Sequence, residues 1–233
     1  MLSSRTMFFG PFIVLYAIAF LLLLVFVFVI EINLIHHAFQ MIGLSPEAAF
    51  MGLFASLAGS YINIPIAKID GGETHEAETV DFFGVRYRLP ARYASQRTTL
   101  AVNVGGAIVP VFISLYVLIQ QPAAILPAAI GVLIVGTVVH RFARPVRGLG
   151  IATPMLVPPI VAALSAWLLA GFFSEATHID AIAYVSGVLG TLIGADIANL
   201  GKLGDLGAPV ASIGGAGTFD GVFLTGIVAV LLA

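Results

Sequence analysis

The run FFGPFIVLYAIAFLLLLVFVFVI, residues 8–30, passes 23 positions without an acidic, basic or histidine side chain. A hydrocarbon core of about 30 Å needs about 20 apolar residues of helix, so this run is long enough to span one. It exceeds the apolar core of a signal peptide, and no small-residue cleavage site follows it, so it reads as a retained helix. The rest of the chain agrees. Of 233 residues, 60% are hydrophobic and 9% charged, and the mean hydropathy is +1.08. A soluble domain carries about 25% charged residues to cover its surface. Lipid is the solvent that fits this composition. The net charge of -2 gives no basic surface for nucleic acid. With no cysteine there is no disulfide, thiolate metal site or cysteine nucleophile.

Working outward from residues 8–30, about seven stretches have the length of a span. They are 9–30, 47–67, 99–119, 123–140, 151–173, 181–200 and 210–232. Charge placement tests the count. With the N-terminus inside, the cytoplasmic segments hold Arg5; Lys68, Arg86, Arg88, Arg92 and Arg97; Arg141, Arg144 and Arg147; and Lys202. That is every basic residue of the chain. The opposite connections carry Glu31, His36, His37, Glu47, Glu175, His178 and Asp180. The positive-inside rule therefore sets the N-terminus in the cytoplasm and the C-terminus outside. The expected fold is all-α, a polytopic bundle in which residues 1–233 form one membrane domain. Its sizeable polar segment is the cytoplasmic loop 68–98, where β-formers from Thr79 to Leu89 surround Gly84 and predict a short hairpin.

Carboxylates inside a membrane are costly and face a bundle interior or a wet cavity. Two aspartates fall within expected spans. Asp196 lies 16 residues beyond Asp180, so about 24 Å below the outer boundary at the helical rise. Asp220 lies 13 residues before Ala233, so about 20 Å below the same boundary if Ala233 sits there. The two depths agree and place both acids in the cytoplasmic third. Asn63, Asn103 and Asn199 fall at the same level, with helix breakers such as Pro65, Gly105, Gly106 and Pro154. Backbone loosened there must be satisfied by protein or water, which implies a cavity. Its expected lining is Asn63, Asn103, Asn199, Gly215, Gly217 and Gly221, around Asp196 and Asp220. Taken singly, each Pro or Gly is better explained by close helix packing.

The segments Gly194-Ala195-Asp196-Ile197-Ala198-Asn199 and Gly214-Gly215-Ala216-Gly217-Thr218-Phe219-Asp220-Gly221 stand out. So do Gly59-Ser60-Tyr61-Ile62-Asn63-Ile64-Pro65 and Asn103-Val104-Gly105-Gly106. Together they resemble a family of small, uncharacterised prokaryotic multi-pass membrane proteins. That likeness implies a location in the prokaryotic plasma membrane and brings no known activity. More distantly, the paired aspartates resemble those of presenilin and signal-peptide-peptidase-type intramembrane aspartyl proteases. There one aspartate ends an out-to-in helix and the other begins the next in-to-out helix. Here Thr218 and Phe219 separate Asp220 from the glycines, Ala195 stands where that group has tyrosine, and its Pro-Ala-Leu motif has no counterpart.

Three functions follow as expectations. In an intramembrane aspartyl protease the two carboxyls would share one proton, one activating water and the other protonating the leaving group. In a small transporter or channel the same acids would bind a cation or carry protons at broken helices. A membrane scaffold would use neither. The expected partners are membrane lipid and a transmembrane peptide or small ion, with no nucleic acid. No cofactor or metal is expected: Glu31, His36, His37, His178 and Asp180 share the outer side without a diagnostic ligand spacing. No serine or threonine sits in a nucleophile elbow.

Overall fold

A computed structural model describes residues 11–70, 79–82, 85–88, 97–146, 150–173, 178–206, 210–215 and 221–233. Helix dominates, as α1 (Pro11–Met41), α2 (Pro46–Gly59), α3 (Val109–Gln120), α4 (Ile125–Phe142), α5 (Val157–Phe173), α6 (Ile179–Thr191) and α7 (Gly221–Leu232). Among the described residues seven short strands accompany them: β1 (Asn63–Asp70), β2 (Thr79–Phe82), β3 (Val85–Arg88), β4 (Arg97–Asn103), β5 (Arg144–Val146), β6 (Gly150–Ala152) and β7 (Val210–Ile213). Among the described residues, three helical stretches are long and apolar enough to cross a membrane: Ile18–Met41, Pro122–Phe142 and Ile179–Leu203.

The strands correct the expectation of an all-α chain with unbroken helices over 47–67, 99–119, 151–173 and 210–232. Each of those stretches gives up one end to a strand, leaving helices of 14, 12, 17 and 12 residues. The cause is local composition. Ile62 to Ile66, Thr98 to Val102 and Val210 to Ile213 are rich in β-branched side chains, which pack well on a pleated surface. β1 pairs antiparallel with β4 from Asn63↔Asn103 to Asp70↔Arg97, with a register shift between Pro65 and Ala67. Proline has no N–H for the ladder, so an edge strand with a bulge is where it fits. β4 pairs parallel with β7, Thr99↔Val210 to Val102↔Ile213, completing the order β1-β4-β7. The hairpin expected in the 68–98 loop is present, with β2 and β3 in register from Thr79↔Arg88 to Phe82↔Val85.

α6 packs on α3, α4, α5 and α7. Every residue from Ala181 to Val188 is buried, and small side chains allow it. A Cβ on Gly131 of α4 would lie 2.8 Å from Ser186, and one on Gly190 2.6 Å from Val135. Close approach of this kind is how helices associate when lipid removes the hydrophobic drive between them. α1 is different: its apolar side chains from Phe20 to Ile30 are exposed, and Ala38, Phe39 and Ile42 near its end are buried. Phe39 meets Tyr184 and Phe223, with ring centroids 6.4 and 5.9 Å away.

Candidate functional site

Below Thr191 the helix of α6 widens into a π turn, Leu192–Asp196, and then tightens into a 3-10 stretch, Ile197–Leu206. The Ile197 N–H donates to both Leu192 and Ile193 carbonyls, the mixed bonding of a π turn that has gained a residue. Asp196 closes that turn, and its Oδ2 accepts from the Gly214 N–H at 2.8 Å. Gly214 and Gly215 follow β7 with φ of 81° and 90°, a left-handed corner that glycine adopts without penalty. A Cβ on Gly214 would lie 2.7 Å from both the Ala107 N and Cβ. The corner therefore rests on a second π turn, Val104–Ile108, which leads into α3. In this way the end of α6, the end of β7 and the start of α3 are fixed to one another around the Asp196 carboxylate.

Half-buried Asp196 borders a cavity of about 120 Å³. Its polar lining includes Thr153, Thr191 and Ser212, and Gly215 and Gly221 complete the same wall. All four residues of β7 border it as well. Thr153 and Gly221 also border a second, mainly apolar groove of about 260 Å³ between the start of α5 and α7. Met155, Leu156, Pro158, Pro159, Leu224 and Val228 form its walls. An acid, three hydroxyls and an adjoining apolar groove are thus brought together where helices meet sheet.

Of the residues singled out in the sequence, Asp196, Gly215 and Gly221 border this cavity. Asp220 and Gly217 lie outside the described residues. Asn63 and Asn103 stand apart from the lining. The fully buried Asn103 donates to the Ser60 carbonyl at 2.7 Å and to Asn63 Oδ1 at 3.0 Å, and accepts from the Gly106 N–H at 2.7 Å. Ser212 donates to Asn63 Oδ1 at 2.5 Å, which links this cluster to the cavity wall. The two asparagines clamp the ends of β1 and β7 to β4 and cap the π turn at Val104. Asn199 serves the other break. Its Nδ2 donates to the Gly194 and Ala195 carbonyls at 3.1 and 2.9 Å, and its Oδ1 accepts from Lys202 at 2.8 Å. Those carbonyls lie where one helix type gives way to another. Among the described residues no three His, Asp or Glu converge as a metal site.

Thr191 and Ser212 are cavity residues that sequence reasoning passed over. An α-helical wheel places Thr191 well away from Asp196, and Ser212 sits in what reads as the start of a helix.

Fold and site define a helical protein with membrane-length apolar helices and an acid-bearing cavity at the junction with a small sheet. Within that class, residues 57–232 match the family described as a protein of unknown function (DUF1614), and the chain belongs to that family. The match begins inside α2 and takes in every element that borders the cavity, leaving out α1. No curated protein and no solved structure matches the chain.

Proposed function

We propose that this protein is an intramembrane aspartyl protease-like hydrolase of the plasma membrane, with Asp196 and Asp220 as its catalytic pair. The observation that carries the reading is the position of Gly215 and Gly221. Both border the cavity that Asp196 borders, and they bracket the five residues that include Asp220. Two carboxyls at one site disfavour a second negative charge and hold one proton between them. The unprotonated one takes a proton from water as its oxygen attacks the peptide carbonyl. The protonated one then gives its proton to the departing nitrogen.

The substrate is a transmembrane peptide, unwound where it enters the site. Two features support a peptide over an ion. β7 pairs with β4 on one edge and borders the cavity, and a strand edge templates an extended chain. The adjoining groove suits apolar side chains. The membrane arrangement belongs to the same proposal: seven membrane-embedded segments, the N-terminus in the cytoplasm and the C-terminus outside. Its support is that Lys68, Arg97, Arg144 and Lys202 all lie on the sheet end, where β1, β4 and β5 pack on the 3-10 stretch.

The test uses the full chain reconstituted in liposomes with a helical membrane substrate. Asp196→Asn and Asp220→Asn should each abolish cleavage while keeping the fold, because an amide nearly matches the carboxyl in shape. Undiminished cleavage by either variant defeats the pairing. Proton- or cation-dependent flux that either variant weakens, without cleavage, supports a transporter instead. A reporter after Ala233 should be extracytoplasmic and one near Gly72 cytoplasmic; the same side for both defeats the topology.

A further inference from the structure

Helix α7 is covered over most of its circumference. Val222, Phe223, Gly226, Ile227 and Val230 are buried, and α1, α5 and α6 pack on the helix. Gly221, Leu224 and Val228 are left open along one stripe, at the i, i+3 and i+7 spacing of a helix face. They border the apolar groove, whose facing wall carries Met155 and Leu156, 73% and 62% exposed. Thr225 borders it too, but its hydroxyl donates back to the Gly221 carbonyl. From Gly221 to Val228 the stripe rises about 10 Å at the helical repeat, starting from the end of α7 that meets the cavity.

At Gly221 the groove joins the Asp196 cavity, and Thr153 borders both. Two oxygens there are unspent. Asp196 accepts from the Gly214 N–H through Oδ2, and its Oδ1 has no partner among the described residues. Thr153 Oγ1 has none either. Neither oxygen is sealed inside the protein. The order is thus a carboxylate oxygen in the cavity, a hydroxyl at the junction and an apolar stripe beyond. An apolar chain alone would leave the carboxylate unanswered, and a small cation alone would leave the groove empty. An anionic head would be repelled by Asp196, and a quaternary ammonium has no N–H to give it.

We infer that the cavity and the groove together bind a phospholipid with a primary ammonium head group. The ammonium donates to Asp196 Oδ1, the Thr153 hydroxyl donates to a phosphate oxygen, and one acyl chain lies along Gly221, Leu224 and Val228. A primary ammonium is about the size of a water, which needs about 10–15 Å³, so a cavity of about 120 Å³ admits it. Its N–H donates to a carboxylate with roughly twice the strength of a neutral hydrogen bond, which sets this head apart from others in the bilayer. The inference goes beyond the protease reading and needs no part of it.

Photo-crosslinking of the full chain in phosphatidylcholine vesicles tests it. The probe is a trace of phosphatidylethanolamine carrying a diazirine in its acyl chain, and peptide mass spectrometry maps the adducts. They should be about tenfold denser at Met155, Leu156 and Leu224 than at Leu164 and Leu168, exposed residues of α5 that do not border the groove. The same diazirine chain on phosphatidylcholine should show no such preference. Asp196→Asn keeps an acceptor oxygen but removes the charge, and should cut the preference about fivefold or more. Leu224→Trp fills the groove and should erase the preference at Met155 and Leu156 while labelling at Leu168 persists. Equal labelling of the groove and Leu164 by the ethanolamine probe leaves the groove to peptide side chains and overturns the inference. An equal preference with the choline probe, or one that survives Asp196→Asn, overturns it as well. None of these measurements involves cleavage, so the protease reading stands or falls separately.

Discussion

Helices α1 and α6 are both apolar, and both belong to stretches long enough to cross a membrane. None of the most apolar window of the first is buried, against 72% of that of the second. The difference lies in size rather than polarity. From Phe20 to Ile30 the first offers only Phe, Leu, Val and Ile, whereas α6 and its π turn carry Ala181, Ala183, Ser186, Gly187, Gly190 and Gly194. Hydropathy selects a segment for the bilayer; small side chains select it for the interior, since they let backbones meet. The polar atoms follow the same division. Thr191 and Asp196 belong to the buried helix, while the exposed one keeps its polar residues, Glu31, Asn33, His36 and His37, near its end.

Gly190→Leu is the harshest test of that comparison. With Val135 already 2.6 Å from an added Cβ, the α4–α6 contact should open at a loss of about 3 kcal/mol. Unfolding in micelles measures it, and a loss under about 1 kcal/mol would mean the two helices are not in backbone contact. Tyr184→Phe should move stability the other way. The Tyr184 hydroxyl is buried without a partner among the described residues, so removing it should leave stability unchanged or raise it by about 1 kcal/mol. A clear loss in the same unfolding assay would reveal a partner for that oxygen. Ala19→Leu, on the exposed part of α1, should stay within about 0.5 kcal/mol. A larger change would show that α1 packs against something in the membrane after all.

The membrane character of the chain and the hairpin at 79–88 were legible, because each rests on local composition: unbroken apolar runs in one case, β-formers around Gly84 in the other. The sheet β1-β4-β7 was not. Ile62 to Ile66 and Val210 to Ile213 are as apolar as the helices they adjoin, and a short apolar run has no period to separate strand from helix. The signals were Pro65 and the crowd of β-branched residues, which a hydropathy window averages away. Asp196 was legible as an acid within an expected span, and it borders the cavity. Thr191 was hidden because its place on the cavity that Asp196 borders depends on the π turn, and a wheel drawn at 100° per residue sends it elsewhere. Asn63, Asn103 and Asn199 were legible as unusual within apolar stretches, but which carbonyls and amides they would satisfy depends on breaks in the helices that only the folded chain displays.

The parallel pairing of β4 with β7 also has a consequence in time. The two strands are separated by roughly a hundred residues of chain. At about 5–20 residues per second, the ribosome completes β7 about 5–20 s after β4. Throughout that interval β4 has only β1 beside it, and Asp196, once made, waits a further 18 residues for the Gly214 N–H that its carboxylate will accept from. The acid is therefore made before its holder. The cavity is therefore walled only after β7 and the start of α7 have been made, well after the β1–β4 pair that they join.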